Sequence, residues 1–340
     1  MVPFRLNHIN TVSRAIEIAK SIPSFLGGNL SLDFVAQREA GLQTSKLIVS
    51  FFYYHLIFLS LLSFFWSESL FSRQNFSPLA PLFWTNLLDF PTSVNVIRFF
   101  FLASSLMGGM FFRRRPARFL AFLGVLQYQA LWSSFGIQFH QLLPWLYVSF
   151  LFLFLPNIWQ KDAPALEERK KFLLILWAAG ALFLSTYFLS GFSKVYWSFV
   201  QIAQGEISSF SPEALARHAA SESPRLGSGG ALGSFFIEYP LLGWPLMLGA
   251  LYLELFALWA AVKPSLHRLW AFGLILFHVG NYFIMNIIFF EPTLLLLVLF
   301  ANSPFQKPDA TWKDSVRDLP IFGWTIKYGS IFLRKRKNQL

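Results

Sequence analysis

The stretch "FHVGNYFIMNIIFFEPTLLLLVLF", Phe277 to Phe300, decides how many times this chain crosses a membrane. Read as the end of one apolar helix and a second that returns, it contributes two spans, Leu269–Asn286 and Ile287–Ala301. Read as one long run it contributes a single span, and the location of everything after it inverts. The second segment is short for a helix that needs ~20 apolar residues to cross hydrocarbon, so a tilted, irregular or shared segment stays open.

Working outward, six further runs have the same character: Lys46–Trp66, Asn95–Phe112, Arg118–Phe135, His140–Pro156, Phe172–Gly191 and Leu241–Val262. The composition agrees, with 55% hydrophobic residues, 19% aromatic, only 13% charged and a mean hydropathy of +0.50. These values exclude an ordinary soluble domain. Charge placement then tests the count of eight. With eight spans, twenty-three Lys and Arg fall on the side of both termini and five on the other (Arg73, Arg98, Lys194, Arg217, Arg225). That is the asymmetry of the positive-inside rule. The expected fold is an all-α polytopic helix bundle of about eight transmembrane helices with both termini cytoplasmic. It divides into a cytoplasmic or interfacial segment 1–45, a transmembrane domain 46–301 and a basic cytoplasmic tail 302–340.

Residues 1–45 have no continuous apolar core followed by a small-residue cleavage site, so they are expected to be retained. Val12, Ile16, Ala19 and Ile22 recur at helical spacing, which suits a short helix on the membrane surface or a loosely ordered leader. Ser67–Val94 is expected to fold back on the bundle. The outer segment from Phe192 to Pro240, with its "SESPRLGSGG", reads either as a lid or as a linker.

The chain has no cysteine, which removes thiolate nucleophiles, iron–sulfur clusters and Cys-type zinc sites. No single helix carries an HxxxH or ExxH pair, so no metal is expected. The net charge of +11 is split among short clusters between apolar runs, which points to topology and not to nucleic acid. What remains is a handful of ionisable groups at membrane depth, each costing about 2.5–3.5 kcal/mol at a helix centre and needing a reason. His278 is placed about 14 Å along its helix, near the midplane, with Asn281 one turn beyond. Glu254 lies about 20 Å below the outer start of its helix and His55 near mid-depth, both expected as structural polar groups, Glu254 protonated or paired. His140 and Lys194 stand at the outer ends of the fourth and fifth spans. Tyr187, Gly191 and Lys194 share one helical face, and the glycine admits a helix or a flat ligand.

The order of three segments resembles the membrane domain of vitamin K-dependent gamma-glutamyl carboxylase and its bacterial relatives, the HTTM (horizontally transferred transmembrane) family. They are "FHQLLPWLYVSFLFLFLP" (139–156), "YFLSGFSKVYWSF" (187–199) and "FHVGNYFIMNIIFFEPTLLLLVLF" (277–300), with "LYLELFALW" between the last two. The resemblance implies a bacterial cytoplasmic-membrane protein whose lysine base deprotonates a reduced vitamin K or menaquinol. Oxygen then makes an epoxide and a strong base, which takes a proton from a glutamyl gamma-carbon so that carbon dioxide adds. Lys194 would be that base and His140 its catalytic companion, while His278 and Asn281, with Tyr187 and Gly191, would line the quinol cavity. Membrane lipid, a quinone and a secreted peptide or protein would be the partners. A lysine base needs surroundings that disfavour the charged amine, which an apolar cavity supplies. The carboxylase has a second lysine where this chain has Ser193, and only residues 302–340 follow the last expected span, so processive carboxylation of a docked protein is not expected. The alternative is a non-enzymatic HTTM protein in peptide maturation, export or immunity, with the polar residues gluing helices.

Overall fold

The computed structural model describes residues 32–65, 76–135, 142–159, 164–226, 230–306 and 311–323. All regular elements among them are helical, and four helices are long and apolar enough to cross a membrane: Glu39–Phe65, Phe90–Phe111, Leu166–Ala203 and Pro264–Met285. The protein is a helical membrane protein, helices being one of the two structures that satisfy the backbone within hydrocarbon. The expected surface helix over Val12–Ile22 and the basic end of the tail lie outside the described residues.

A short α1 (Leu32–Gln37) leads into α2 (Glu39–Phe65). Residues 76–79 and a 3₁₀ segment (Ala80–Leu87) fold back against α4, where Trp84 Nε1 donates to Gln127 Oε1 at 3.0 Å and Gln127 Nε2 donates to the Pro81 carbonyl at 2.9 Å. This is the fold-back expected of the Pro- and Trp-rich segment. Asp89 then caps α3 (Phe90–Phe111), accepting from the Thr92 amide at 3.1 Å. α4 (Arg115–Ser133) returns antiparallel and packs closely on α3, because Gly124 sits directly against Ser104, and Gly108 against Ala121. Arg118 is buried and donates to the carbonyls of Phe112 and Leu155, tying the α3–α4 turn to the end of α5 (Leu143–Phe152).

α6 (Leu166–Ala203) is the longest element at 38 residues, about 57 Å at 1.5 Å per residue, and nearly twice the thickness of a hydrocarbon core. Its expected end at Gly191 is not an end, since the helix continues unbroken for twelve more residues. The segment that follows, expected as a lid or a linker, carries helices of its own. It forms α7 (Ala214–Leu226) and α8 (Gly233–Glu238), whose Ala214, Leu215, Ala219 and Phe236 build a small separate core with Met247 and Ile284.

α9 (Pro240–Leu255) breaks at Phe256 and resumes as α10 (Ala257–Val262), and a 3₁₀ turn (Pro264–Leu266) starts α11 (His267–Met285). α11 ends on Asn286 in the left-handed region (φ 58°), a conformation asparagine tolerates. Residues 286–289 then run back without helical structure to α12 (Phe290–Leu296), which closes in a π turn (Leu297–Ala301). The return is shallow: the Phe289 ring meets the His278 ring at 4.8 Å, so α12 begins near the level of the middle of α11. The short last segment is thus shared with its neighbour. α13 (Trp312–Asp318), opened by a Thr311–Asp314 capping box, docks under α9 and α10.

A candidate intramembrane site at Lys194 and Glu254

α6, α9 and α11 surround a cavity of about 1100 Å³, with α5, α7 and the return after α11 completing its walls. Non-helical backbone at membrane depth is tolerated only where protein buries it or where it lines a cavity, and Ile287 and Phe289 of the return do line this one.

The centre of the site is an ion pair. Lys194 Nζ lies 2.6 and 2.5 Å from the two carboxylate oxygens of Glu254, and Ser190 Oγ donates to Glu254 Oε1 at 3.3 Å. The glutamate side chain is 4% exposed and the lysine 30%, so the carboxylate is held from the helix side while the amine faces the cavity. The Phe277 ring centroid is 5.8 Å from Nζ and adds a cation–π contact. The pair forms because Gly191, one turn before Lys194, has no Cβ. An added Cβ would stand 2.6 Å from the Leu255 amide nitrogen and 2.9 Å from the Glu254 backbone carbon. Gly191 therefore admits a helix, bringing the end of α9 against α6 so that the two charged side chains meet.

About two turns before Lys194 on α6, Tyr187 OH and His278 Nε2 are hydrogen-bonded at 2.7 Å, both buried. His278 Nδ1 is buried with no hydrogen-bond partner among the described residues. Asn281, also buried, lines the same cavity one turn along α11. The structure thus brings together Tyr187, Gly191, Lys194, His278 and Asn281, and adds Glu254 to them. His140 lies outside the described residues.

His55 is not in this group. Its Nε2 pairs with Glu291 Oε2 at 3.0 Å, with side chains 9% and 7% exposed, and its ring lies 4.8 Å from that of Trp145. Glu291, in the first turn of α12, lies at the level of His55 on α2. The neighbouring residues Pro144 and Pro292 line the cavity, so this second pair stands just behind its wall.

Sequence reasoning missed both pairings, as well as the contribution of α7, whose Leu215 and His218 reach the cavity. Ser190 was findable, being four residues before Lys194 on the same face. Comparison with known protein families, with curated proteins and with solved structures finds no match.

Proposed function

We propose that the protein is a polytopic membrane enzyme of the HTTM, carboxylase-like kind suggested by its motifs, with eight crossings of a bacterial cytoplasmic membrane and both termini in the cytoplasm. Its cavity binds a quinol, and the quinol hydroxyl gives its proton to the Lys194 amine. The observation that carries this reading is the Lys194–Glu254 pair set in the wall of a largely apolar cavity.

A buried pair of this kind is neutral overall whether the proton sits on nitrogen or on oxygen. With the proton on Glu254, the amine is free to accept one; with it on Lys194, the amine is an acid. The cavity walls suit a flat, apolar ring system, and His278 Nδ1 and Asn281 supply polar contacts for its oxygens. The overall conversion has quinol and dioxygen becoming quinone epoxide and water. Coupled to it, a carbon–hydrogen bond of a glutamyl or other small substrate at the outer face is replaced by a carboxylate from carbon dioxide.

The test is quinol turnover by the purified protein supplied with menaquinol, oxygen, carbon dioxide and a glutamyl peptide. Wild type is expected to form epoxide, and Lys194→Ala to lose it by about a hundredfold or more, the loss typical of a removed acid–base group. Equal absence of turnover in both proteins overturns the enzyme reading. A periplasm-active reporter fused after Gly205 should be active, and a reporter active only in the cytoplasm would invert the topology.

A second reading has one observation of its own. Glu254 and Glu291 each bond a side chain of another helix, Lys194 and His55, the arrangement expected of polar glue in a non-enzymatic HTTM protein acting in peptide maturation, export or immunity.

A further inference from the structure

We infer that the cavity opens sideways into the bilayer through a window between α9 and α11, and that one hydrocarbon chain of a membrane-borne ligand occupies it. The inference rests on the reading of the cavity as a ligand site and adds the route and the shape of the ligand.

The two helices touch at only part of their length. At the lower end, Gly273 packs on Leu253, whose Cδ2 would lie 2.9 Å from an added Cβ, and Trp270 Nε1 donates to the Leu253 carbonyl at 2.9 Å. At the upper end, Met247 of α9 and Ile284 of α11 meet around Phe236. Between these closures stand Gly249 and Gly280. Both line the cavity, and a Cβ on either would meet nothing within 4 Å. The closures are six residue steps apart on α9 and eleven on α11, about 9 and 16 Å of helix.

The residues flanking the gap are apolar and outward. Leu276 is 70% exposed and Leu246 is 53% exposed, yet both also line the cavity. An opening that belongs at once to the cavity wall and to the outer surface is a portal. α11 is one of the four spanning helices, so the surface around Leu276 faces lipid. At that depth no water is present to fill an apolar gap, and the available occupant is a hydrocarbon chain. Leu253, the floor of the window, directly precedes Glu254, so a chain lying in the window places its head beside the Lys194–Glu254 pair. The ligand class is a polar head on one long apolar tail.

The experiment uses the intact protein in phosphatidylcholine vesicles containing a lipid with a diazirine on its acyl chain. Photolabelling is expected on Phe277 inside the cavity as well as on Leu276 at its lip. Gly249→Leu combined with Gly280→Leu starts each new side chain at a Cβ with nothing within 4 Å, fills the window and should lower interior labelling about tenfold, a difference near 1.4 kcal/mol in occupancy, with lip labelling unchanged. Interior labelling that is absent in wild type, or unchanged in the double variant, overturns the portal. If the double variant does not fold, Gly280→Leu alone is read in the same way. Loss of interior labelling in the filled variant, alongside quinol turnover indifferent to Lys194→Ala, would leave the portal standing and remove the quinol.

Discussion

The two faces of α9 use the same small residue to opposite ends. Against α6, Gly191 lets backbone touch backbone, and the contact is so close that it fixes the depth at which Glu254 meets Lys194. On the side of α11, Gly249 and Gly280 both border open space at the cavity. A glycine in a membrane helix thus marks a close crossing or a place where a crossing was avoided, and only the partner helix tells which. One helix anchors the charged pair on one side and leaves a passage on the other.

Substitutions can break that contrast. The largest effect is expected at the closed face: Gly191→Ala drives a methyl into the α9 backbone, which has no side chain to rotate away, and should cost about 3 kcal/mol in detergent unfolding. A cost within 1 kcal/mol would mean that the two helices are not held at this crossing. Next comes Glu254→Ala, which leaves the lysine without its carboxylate. The cost should be about 2 kcal/mol, below that of a fully buried pair because the lysine is 30% exposed. Replacing both members with methionine should recover most of it, and a double variant as unstable as the single one would show that the charges contribute little through each other. The smallest effect, of opposite sign, belongs to the open face. Gly249→Ala adds a methyl to empty space and removes a flexible residue from a helix, so it should raise stability by about 0.5 kcal/mol. Destabilisation there would show that the space is filled.

The helices were legible because apolar run length marks them, and among the described residues a helical segment falls within each of the expected runs. Four of them are long and apolar enough to cross. Rotation and neighbourhood are a different matter. Nothing local in "LYLELFALW" says that Glu254 meets a lysine 60 residues earlier, and treating α6 as ending at Gly191 placed the two at different depths. Hydropathy marks where a helix leaves the hydrocarbon, whereas α6 is carried past that point by contacts its own sequence does not display. The common face of Tyr187, Gly191 and Lys194 was readable from spacing alone, and so was the suspicion over Ile287–Ala301. The left-handed Asn286 that ends α11, and the non-helical 286–289 that follow it, were not.

The His55–Glu291 pair joins residues 236 positions apart, near opposite ends of the chain. At 5–20 residues per second, a ribosome needs roughly ten to fifty seconds to travel between them. For that interval α2 is already made and carries an imidazole whose eventual counterpart does not yet exist. The pair can close only when the last hairpin enters the bundle. The contact between α2 and α12 is therefore one of the late ones to form during synthesis.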